Sequence, residues 1–271
     1  MRDLDGRVAV VTGGGSGIGQ GMAWAFAREG MSVVVADVDL AAAEGTVDNL
    51  RQLGARAVAI QTDVSNLSDV QRLAESSFSE FDRVDILCNN AGVSLRGRSG
   101  IHATHNDWRW LMGVNMWGLI HGLEAFLPRL LEQPEAHIVN TGSMYSFIPS
   151  ANSALYSATK YGIRGISETI KNELHDTNVG VSLLCPCAVS TRSAEAERSR
   201  PSSLPSPPPD GSHTPSAQYI ISSPMDPKEV GKLVVKGVQE DRFYIFTDPL
   251  LKDLIEARHN EILRDFDMLG S

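Results

Sequence analysis

Short apolar runs alternate along the chain with longer amphipathic stretches. Runs rich in Val, Ile and Ala are typical of strands buried on both faces of a parallel sheet, and the stretches between them suit connecting helices. The pattern predicts strands at Val8–Thr12, Ser32–Asp37, Ala57–Thr62, Val84–Asn89, His137–Thr141, Gly180–Cys185 and Phe243–Phe246. It predicts helices at Gly17–Glu29, Leu40–Leu53, Ser68–Phe81, Asn106–Glu132, Ala151–Asp176, Pro227–Gln239 and Pro249–Phe266.

This alternation predicts an α/β fold of the Rossmann type, with a doubly wound, parallel, seven-stranded sheet and helices on both of its faces. A length of 271 residues would also allow two small domains. No break in composition divides the chain, so we expect a single domain over residues 1–271.

One segment interrupts the alternation. Residues 192–224 are dominated by Ser, Pro and charged side chains, and we expect them to order poorly because they have little apolar surface to bury. They follow the sixth strand, at the sheet edge where ligands bind in such folds. The position predicts an insertion that acts as a substrate lid, although a surface loop without a role would have the same composition.

Composition narrows the classes of partner. The chain has 33 acidic and 24 basic residues, a formal net charge of -9, which argues against nucleic acid or an anionic membrane as the main partner. No apolar run approaches the roughly 20 residues of a membrane span, and the first residues lack the apolar segment of a signal peptide, so we expect a cytoplasmic protein.

The cysteines Cys88, Cys185 and Cys187 are expected to be free thiols, and no second Cys/His cluster accompanies the last two, so no metal site is predicted.

A glycine-rich loop, residues 12–19, follows the first strand and leads directly into a helix. Gly13 permits a sharp turn, and Gly17 and Gly19 allow close approach of backbone and ligand. The helix N-terminus then offers free N–H groups and a positive dipole end to a pyrophosphate. The predicted dinucleotide contacts in this loop are Thr12, Gly13, Gly15, Ser16, Gly17, Ile18 and Gly19.

Two acidic positions at strand ends refine the cofactor. Asp37 ends the second strand eighteen residues after Gly19, close to where an acid binds the ribose hydroxyls of NAD. Its carboxylate would repel a 2'-phosphate, and no basic residue stands in the loop or just after Asp37, so NAD(H) is preferred over NADP(H). Asp63 and Val64 are placed to meet the adenine. Simple strand termination at Asp37 and a turn cap at Asp63 are the alternatives.

Tyr156 and Lys160 lie four residues apart, with Ser143 thirteen residues before Tyr156. On a helix, positions i and i+4 share one face, so the ammonium can sit close to the phenol. A nearby positive charge favours the phenolate and lowers the pKa of a tyrosine from its reference of about 10. The trio therefore predicts proton transfer to or from a substrate oxygen, although the pair alone could be a surface pair on any amphipathic helix.

In this order, the glycine loop, Asn89–Gly92, Asn115, Ser143, Tyr156 and Lys160 resemble the motifs of the short-chain dehydrogenase/reductase family. The resemblance extends from about Arg7 to Phe246. It implies that Tyr156 is the catalytic acid/base and that Lys160 lowers its pKa and binds the nicotinamide ribose. It implies that Ser143 hydrogen-bonds the substrate oxygen and that Asn115 holds a water in a proton relay.

The same resemblance implies further cofactor contacts. Asn90, Ala91 and Gly92 are expected to pack the central sheet and to touch the adenosine ribose, although a plain turn would look similar. Pro186, Val189 and Thr191 are expected near the nicotinamide carboxamide. Cys187 stands where the family usually has a glycine, which puts those contacts in doubt.

Candidate substrate residues surround the predicted acid/base. Ser143, Tyr145, Phe147 and Tyr156 are the residues expected to contact substrate, within walls formed by residues 94–105, residues 144–152 and the lid. Their character predicts a hydrophobic secondary alcohol or ketone, unless the aromatic side chains pack against the lid or another subunit. The carboxyl-terminal part resembles a subgroup that includes aryl-alcohol dehydrogenases acting at benzylic carbons, which extends the prediction to aromatic substrates.

Three functions remain in view. An NAD(H)-dependent alcohol dehydrogenase or ketone reductase fits best. An epimerase or dehydratase that retains NAD uses a related Tyr-x-x-x-Lys pair but usually carries a larger carboxyl-terminal domain. A nucleotide-sensing binding protein would tend to lose the tyrosine or lysine. Family members commonly associate through the two long helices, here residues 106–132 and 151–176, so a homodimer or homotetramer is expected.

Overall fold

The computed structural model describes residues 1–95, 102–206, 223–267 and 269. Its sheet has seven strands, all parallel, in the order β3-β2-β1-β4-β5-β6-β7. The strands are β1 (Val8–Thr12), β2 (Ser32–Asp37), β3 (Ala57–Gln61), β4 (Ile86–Asn89), β5 (Ala136–Thr141), β6 (Val179–Cys185) and β7 (Tyr244–Phe246). The order reverses between β1 and β4, and this topology confirms the predicted doubly wound, single-domain Rossmann fold.

The helices are α1 (Gly17–Arg28), α2 (Leu40–Gln52), α3 (Leu67–Phe81), α4 (His105–Leu111), α5 (Gly118–Leu130), α6 (Ala154–Glu173), α7 (Pro227–Gln239) and α8 (Leu251–Asp267). Short 3₁₀ segments cover Met144–Ser146 and Arg192–Ser199, and a π-helical segment covers Met112–Trp117. Among the described residues, none of these helices combines the length and the apolar character that crossing a bilayer requires.

The sheet separates two apolar cores. Successive strand side chains point to opposite faces, so Ala9 and Val11 of β1 join one core while Val8 and Val10 join the other. The first core is closed by α1, α2 and α7, and the second mainly by α3 and α5. Because both faces are covered, the strands read in sequence as continuous apolar runs, which is why the pattern located all of them.

The structure corrects several predicted boundaries. The predicted helix over residues 106–132 is interrupted by the π-helical segment between α4 and α5. The predicted helix at residues 151–176 begins only at Ala154, because Asn152 has a left-handed φ of 62°. β3 ends at Gln61 rather than Thr62, and β4 begins at Ile86 rather than Val84.

The expectation that residues 192–224 order poorly is wrong for the first part of that segment. Residues 192–199 form the second 3₁₀ segment, and Ala196 is buried. The Arg200 side chain is only 7% exposed and pairs with the fully buried side chain of Asp107, so an ion pair holds a stretch that has little apolar surface. Residues 207–222 of the predicted lid, and residues 96–101 of the predicted substrate wall, lie outside the described residues.

Helices α1 and α7 meet at two glycines. A Cβ at Gly231 would stand 2.2 Å from the carbonyl oxygen of Gly21, and a Cβ at Gly21 would stand 2.0 Å from the carbonyl oxygen of Pro227. These obstacles are backbone atoms, so the two helices would have to separate to admit a side chain. This contact seats α1, the helix that begins at the glycine loop, on the rest of the domain.

We expect Gly231→Ala to lower the free energy of unfolding by about 1–3 kcal/mol, because the added methyl group overpacks a backbone contact. Gly45→Ala is the matched control: Gly45 is exposed within α2 and an added Cβ meets nothing within 4 Å. That change should raise the free energy of unfolding by roughly 0.5–1 kcal/mol, because alanine is the better helix former. Urea unfolding followed by circular dichroism measures both, and equal stability of the two variants would contradict the packing argument.

Candidate active site

Most of the predicted site residues lie at one edge of the sheet. Thr12 and Asp37 end strands β1 and β2, Asn90 directly follows β4, and Pro186 follows the end of β6. In a parallel sheet the carboxyl ends of the strands face the same way, and ligands of doubly wound folds bind in the crevice outside them.

The glycine loop packs tightly against neighbouring protein atoms at the start of α1. Gly17 has a φ of +55°, and a Cβ there would lie 3.1 Å from Cγ2 of Thr191. At Gly19 a Cβ would lie 2.1 Å from the carbonyl oxygen of Gly13, so that position admits no side chain. The N-cap residue Ser16 makes no capping hydrogen bond with its side chain, and the first turn of α1 has no acidic residue. The first N–H groups of α1 therefore suit a phosphate group.

Asp37 faces this loop. Its Oδ2 accepts a hydrogen bond of 2.9 Å from the backbone N–H of Gly15, and its Oδ1 accepts one of 3.1 Å from the N–H of Asp39. The predicted ribose-binding carboxylate and the predicted pyrophosphate loop are thus in direct contact. Asp63 caps the turn that follows β3: its Oδ1 accepts hydrogen bonds of 2.9 and 2.7 Å from the N–H and the hydroxyl of Ser65. Its contact with the adenine stays a prediction.

Asn90 and Ala91 connect the central strands. Oγ1 of Thr12 accepts hydrogen bonds from the N–H groups of Asn90 and Ala91 at 2.9 and 3.1 Å. The side-chain amide of Asn90 donates to the carbonyl of Thr12 at 2.8 Å, and its Oδ1 accepts from the hydroxyl of Thr141 at 3.3 Å. These bonds connect the ends of β1, β4 and β5.

Lys160 is buried beside Tyr156. Its ammonium donates a hydrogen bond of 2.8 Å to the carbonyl oxygen of Thr141 and lies 5.5 Å from the centroid of the Tyr156 ring. Only 4% of the Lys160 surface is exposed. Burial lowers the pKa of Lys160 to about 8, so the side chain remains largely charged at neutral pH. Tyr156 is half-buried and its ring meets that of Tyr145 edge-on, with 5.5 Å between centroids.

Asn115 lies in the π-helical segment, where no apolar periodicity could have signalled the change of helix type. Its Oδ1 accepts from the N–H of Val93 at 2.8 Å, and its Nδ2 donates to the carbonyl of Val93 and to the hydroxyl of Thr159. A Cβ at Gly92 would lie 3.5 Å from Oδ1 of Asn115 and 3.8 Å from the Lys160 ammonium. Asn115, Gly92 and Lys160 therefore surround one small volume, at the kind of helix irregularity that is frequent at functional sites.

Ser143 and the residues after it form a tight turn between β5 and α6. Ser143 is buried, and its N–H donates to the hydroxyl of Ser146 at 3.1 Å. Phe147 is buried against the aromatic residues of β7, with 5.7 Å to the ring centroid of Tyr244 and 5.6 Å to that of Phe246. Tyr145, in contrast, lies against Tyr156, so the two aromatic residues expected to contact substrate have different surroundings.

The chain after β6 returns to the glycine loop. Thr191 lies against Gly17, Val189 pairs with Met225 in an isolated parallel bridge, and the carbonyl of Pro186 accepts from the N–H of Met144 at 2.9 Å. Cys187 is half-buried and its N–H donates to the hydroxyl of Thr247 at 3.0 Å. Burial raises the pKa of its thiol to about 11, so Cys187 stays neutral.

An apolar cluster beside Tyr156 was missed by the sequence analysis. We name it the Trp110 cluster, and it consists of Val93, Trp110, Leu111, Leu155 and Ala196, with Leu95, Ala103, Trp108, Val114, Tyr156 and Leu204 packed against it. Its members come from five separate parts of the chain, so no local pattern could have grouped them. Among the described residues, no group of three or more His, Cys, Asp or Glu side chains could hold a metal ion.

Comparison with known proteins agrees with this geometry. The sequence model of the short chain dehydrogenase family matches residues 7–202. A short chain dehydrogenase/reductase from Burkholderia phymatum, solved in complex with NAD, has a TM-score of 0.90 and 37% identity, with 98% of this chain and 97% of that chain covered. The 1-deoxy-11-beta-hydroxypentalenate dehydrogenase of Streptomyces exfoliatus is 34% identical, covering 96% of this chain and 90% of its own length. The C alpha-dehydrogenase of Sphingobium sp. (strain NBRC 103272 / SYK-6) is 31% identical, covering 97% and 87% respectively. This chain belongs to the short-chain dehydrogenase/reductase family.

Proposed function

We propose that this oxidoreductase uses NAD(H) to interconvert a hydrophobic secondary alcohol and its ketone, with Tyr156 as acid/base. One observation carries the proposal: the buried Lys160 ammonium lies 5.5 Å from the Tyr156 ring, at the sheet edge that also carries the glycine loop. A cation fixed beside a half-buried phenol favours the phenolate and makes a proton acceptor available near neutral pH.

The residues present fit a dinucleotide with an unphosphorylated ribose. The loop from Gly13 to Gly19 and the uncapped start of α1 would hold the pyrophosphate, and Asp37 would bind the adenosine ribose. When bound, NAD(H) supplies the hydride acceptor for oxidation and the hydride donor for reduction. The relative from Burkholderia phymatum, which binds NAD, supports this cofactor.

The side chains of the protein transfer one proton to or from the substrate oxygen. In the oxidation direction, Oη of Tyr156 as phenolate accepts the hydroxyl proton of the alcohol, and in reduction it returns a proton to the carbonyl oxygen. The Ser143 hydroxyl donates a hydrogen bond to the same substrate oxygen. Lys160 maintains the positive charge beside Tyr156, and Asn115, which its bonds to Val93 fix in place, holds a water through which protons reach solvent.

The substrate class follows from the surroundings of Tyr156. The phenol is flanked by the Tyr145 ring and by the Trp110 cluster, so a substrate whose oxygen meets Oη would place its carbon skeleton against apolar and aromatic side chains. Such surroundings favour hydrophobic alcohols, aromatic ones included. Two relatives are named as dehydrogenases, one of them a C alpha-dehydrogenase, and these names support the proposal of an alcohol substrate.

We also propose a homodimer or homotetramer in which α5 and α6 take part. Trp117, the last residue of the π-helical segment before α5, is 53% exposed and offers a large apolar side chain that a second subunit would bury. Sedimentation velocity on the purified protein measures the assembly directly.

The function is tested with Tyr156→Phe and a panel of secondary alcohols and ketones, with reduced nicotinamide followed by absorbance. Wild-type protein should turn over members of the panel with NAD(H). The variant should lose about 10²- to 10⁴-fold in kcat, because it lacks the ionisable hydroxyl, while its affinity for NAD+ is unchanged.

Tyr161→Phe provides the matched control for this experiment. Tyr161 lies on the same helix, and its hydroxyl donates to the carbonyl of Phe147. Its removal should leave kcat close to that of the wild type. Undiminished activity in Tyr156→Phe would remove Tyr156 from the mechanism, and bound but unchanging cofactor in the wild type would favour an epimerase or dehydratase instead.

Cofactor preference is tested with Asp37→Asn. Asparagine keeps an acceptor for the Gly15 N–H and removes the charge, so repulsion of a 2'-phosphate falls. We expect the ratio of kcat/KM for NAD+ over NADP+ to decrease by about tenfold or more, measured by steady-state kinetics with both cofactors. Asp39→Asn removes a carboxylate two residues away and should leave the ratio unchanged. An unaltered ratio in Asp37→Asn would show that this carboxylate does not select the cofactor.

Burial of Lys160 predicts a pH dependence of stability. Its pKa is lowered to about 8 in the folded protein from 10.5, so the unfolded chain holds the proton more tightly. Lys160 therefore destabilises the fold at neutral pH, and this effect diminishes as pH rises between those two values. The free energy of unfolding of the wild type minus that of Lys160→Met should increase by about 2–3 kcal/mol from pH 7 to about 10.5 in cofactor-free protein.

Urea unfolding at a series of pH values measures this difference. Lys252→Met, which removes an exposed lysine on α8, is the control and should show no such trend. A flat difference for Lys160→Met would mean that the ammonium is solvated in solution.

A further inference from the structure

Asp107 and Arg200 form an ion pair that excludes solvent. Nη2 of Arg200 lies 2.7 Å from Oδ1 of Asp107, and the exposed fractions of the two side chains are 7% and 0%. Asp107 belongs to the first turn of α4, and Arg200 follows the 3₁₀ segment Arg192–Ser199. The pair therefore joins α4 to residues 192–206, which we call the crossing segment.

Arg200 also organises its own surroundings. Its Nε donates a hydrogen bond of 2.6 Å to the carbonyl of Leu204, which fixes the turn at the end of the crossing segment. Its guanidinium lies 4.9 Å from the ring centroid of Trp110, within the range of a cation–π contact. Glu197, half-exposed, lies 3.5 Å from Nη1. One side chain thus contacts α4, the Trp110 ring and two parts of the crossing segment.

Asp107 is held equally firmly. Its Oδ2 accepts hydrogen bonds of 2.8 Å from both the N–H and the hydroxyl of Thr104, and its N–H donates back to that hydroxyl, so the carboxylate closes a capping box. Burial alone would raise the pKa of Asp107, but hydrogen bonds from Thr104 and Ser206 and the adjacent Arg200 guanidinium outweigh it and lower the pKa to about 2. The carboxylate is therefore charged at every working pH.

The pair determines where part of the wall beside Tyr156 lies. Ala196 and Leu204 of the crossing segment belong to the Trp110 cluster, in which Leu155 and the Tyr156 ring also take part. Among the described residues, Ser206 of the crossing segment also hydrogen-bonds Asp107, and two exposed bonds run from Ser94 to the carbonyl of Ser193 and from Asn106 to the carbonyl of Pro205. Exposed bonds contribute little because water replaces them, whereas separation of a buried ion pair leaves a charge without its partner.

We propose that Asp107 and Arg200 are positioning residues that fix Ala196, Leu204 and Trp110 beside Tyr156 and thereby set the KM for a hydrophobic alcohol. This inference rests on the proposed function of Tyr156. It assigns neither residue a role in proton transfer or in cofactor binding, since both act through the apolar side chains they hold.

The test compares Arg200→Met with wild type in steady-state oxidation of 1-phenylethanol, or of the panel alcohol with the highest rate if that is another. We expect KM for the alcohol to rise by about tenfold or more, because a buried carboxylate without its partner drives the crossing segment away from α4. The dissociation constant for NAD+ should stay unchanged, and kcat should fall far less than KM rises. Arg200→Lys, which keeps the charge but not the forked geometry, should give an intermediate KM.

Arg83→Met is the control, at a pair in which the arginine is 41% exposed and the aspartate also lies 3.5 Å from Arg7. Arg83 donates a hydrogen bond of 2.9 Å to Asp85, another fully buried aspartate, but at the amino edge of the sheet, opposite the site. This variant should lose stability and keep the wild-type KM. If Arg200→Met and Arg83→Met shift the melting temperature alike and neither shifts KM, the Asp107–Arg200 pair is merely structural and the inference is overturned.

A second measurement needs no substrate. Asp107→Asn keeps every trypsin site, including the exposed Arg192 and Arg198 of the crossing segment. In native protein, trypsin should cut after these residues at least several-fold faster in this variant than in wild type, and an equal rate would overturn the inference.

If the wild type turns over no alcohol or ketone, the proposed function fails while the proteolysis result still decides whether the pair holds the segment. If Arg200→Met does not fold, Asp107→Asn and Arg200→Lys supply both readouts.

Discussion

The arrangement of the active site depends on one buried ammonium group. Lys160 is held by a hydrogen bond to the carbonyl of Thr141, and that carbonyl belongs to the last residue of β5. A charge in this position costs free energy, as the lowered pKa of Lys160 shows, so the fold retains it at the expense of stability. The bond from Lys160 to Thr141 therefore fixes how α6 crosses the end of β5 and keeps the ammonium beside the Tyr156 ring.

The same threonine links the two halves of the site. While its carbonyl accepts from Lys160, its hydroxyl donates to Asn90, and the Asn90 amide donates to the carbonyl of Thr12 at the start of the glycine loop. A short series of hydrogen bonds thus runs from the lysine that faces Tyr156 to the loop that suits a pyrophosphate. Because each bond joins the end of a strand, the register of the parallel sheet sets the distance between the glycine loop and Tyr156.

The sequence predicted those parts of the molecule that local patterns determine. Strands buried on both faces appear as apolar runs, so the sequence located them. The glycine loop and Asp37 occur at the spacing that a strand–loop–helix unit requires, and the structure brings them into contact. The π-helical segment around Asn115 leaves no periodic signal. The Asp107–Arg200 pair joins residues far apart in sequence, and composition predicted poor order for the segment that this pair fixes. Such long-range contacts can be recognised only once the sheet has brought the elements together.

Cys187, which follows β6 where the resemblance implies a glycine, is bound to the segment after β7. The Cys187 N–H is bound by the hydroxyl of Thr247, just past the end of β7, so the turn is anchored to the neighbouring strand. Its thiol is half-buried and neutral, and Thr191 still lies against Gly17 of the glycine loop. The Cys187 side chain packs against the apolar cluster that contains Phe147, with Tyr244 packed against the same cluster. There the rings of Phe147, Tyr244 and Phe246 form an aromatic cluster. That cluster also explains why Phe147 is buried, which leaves Tyr145 as the aromatic residue that adjoins Tyr156.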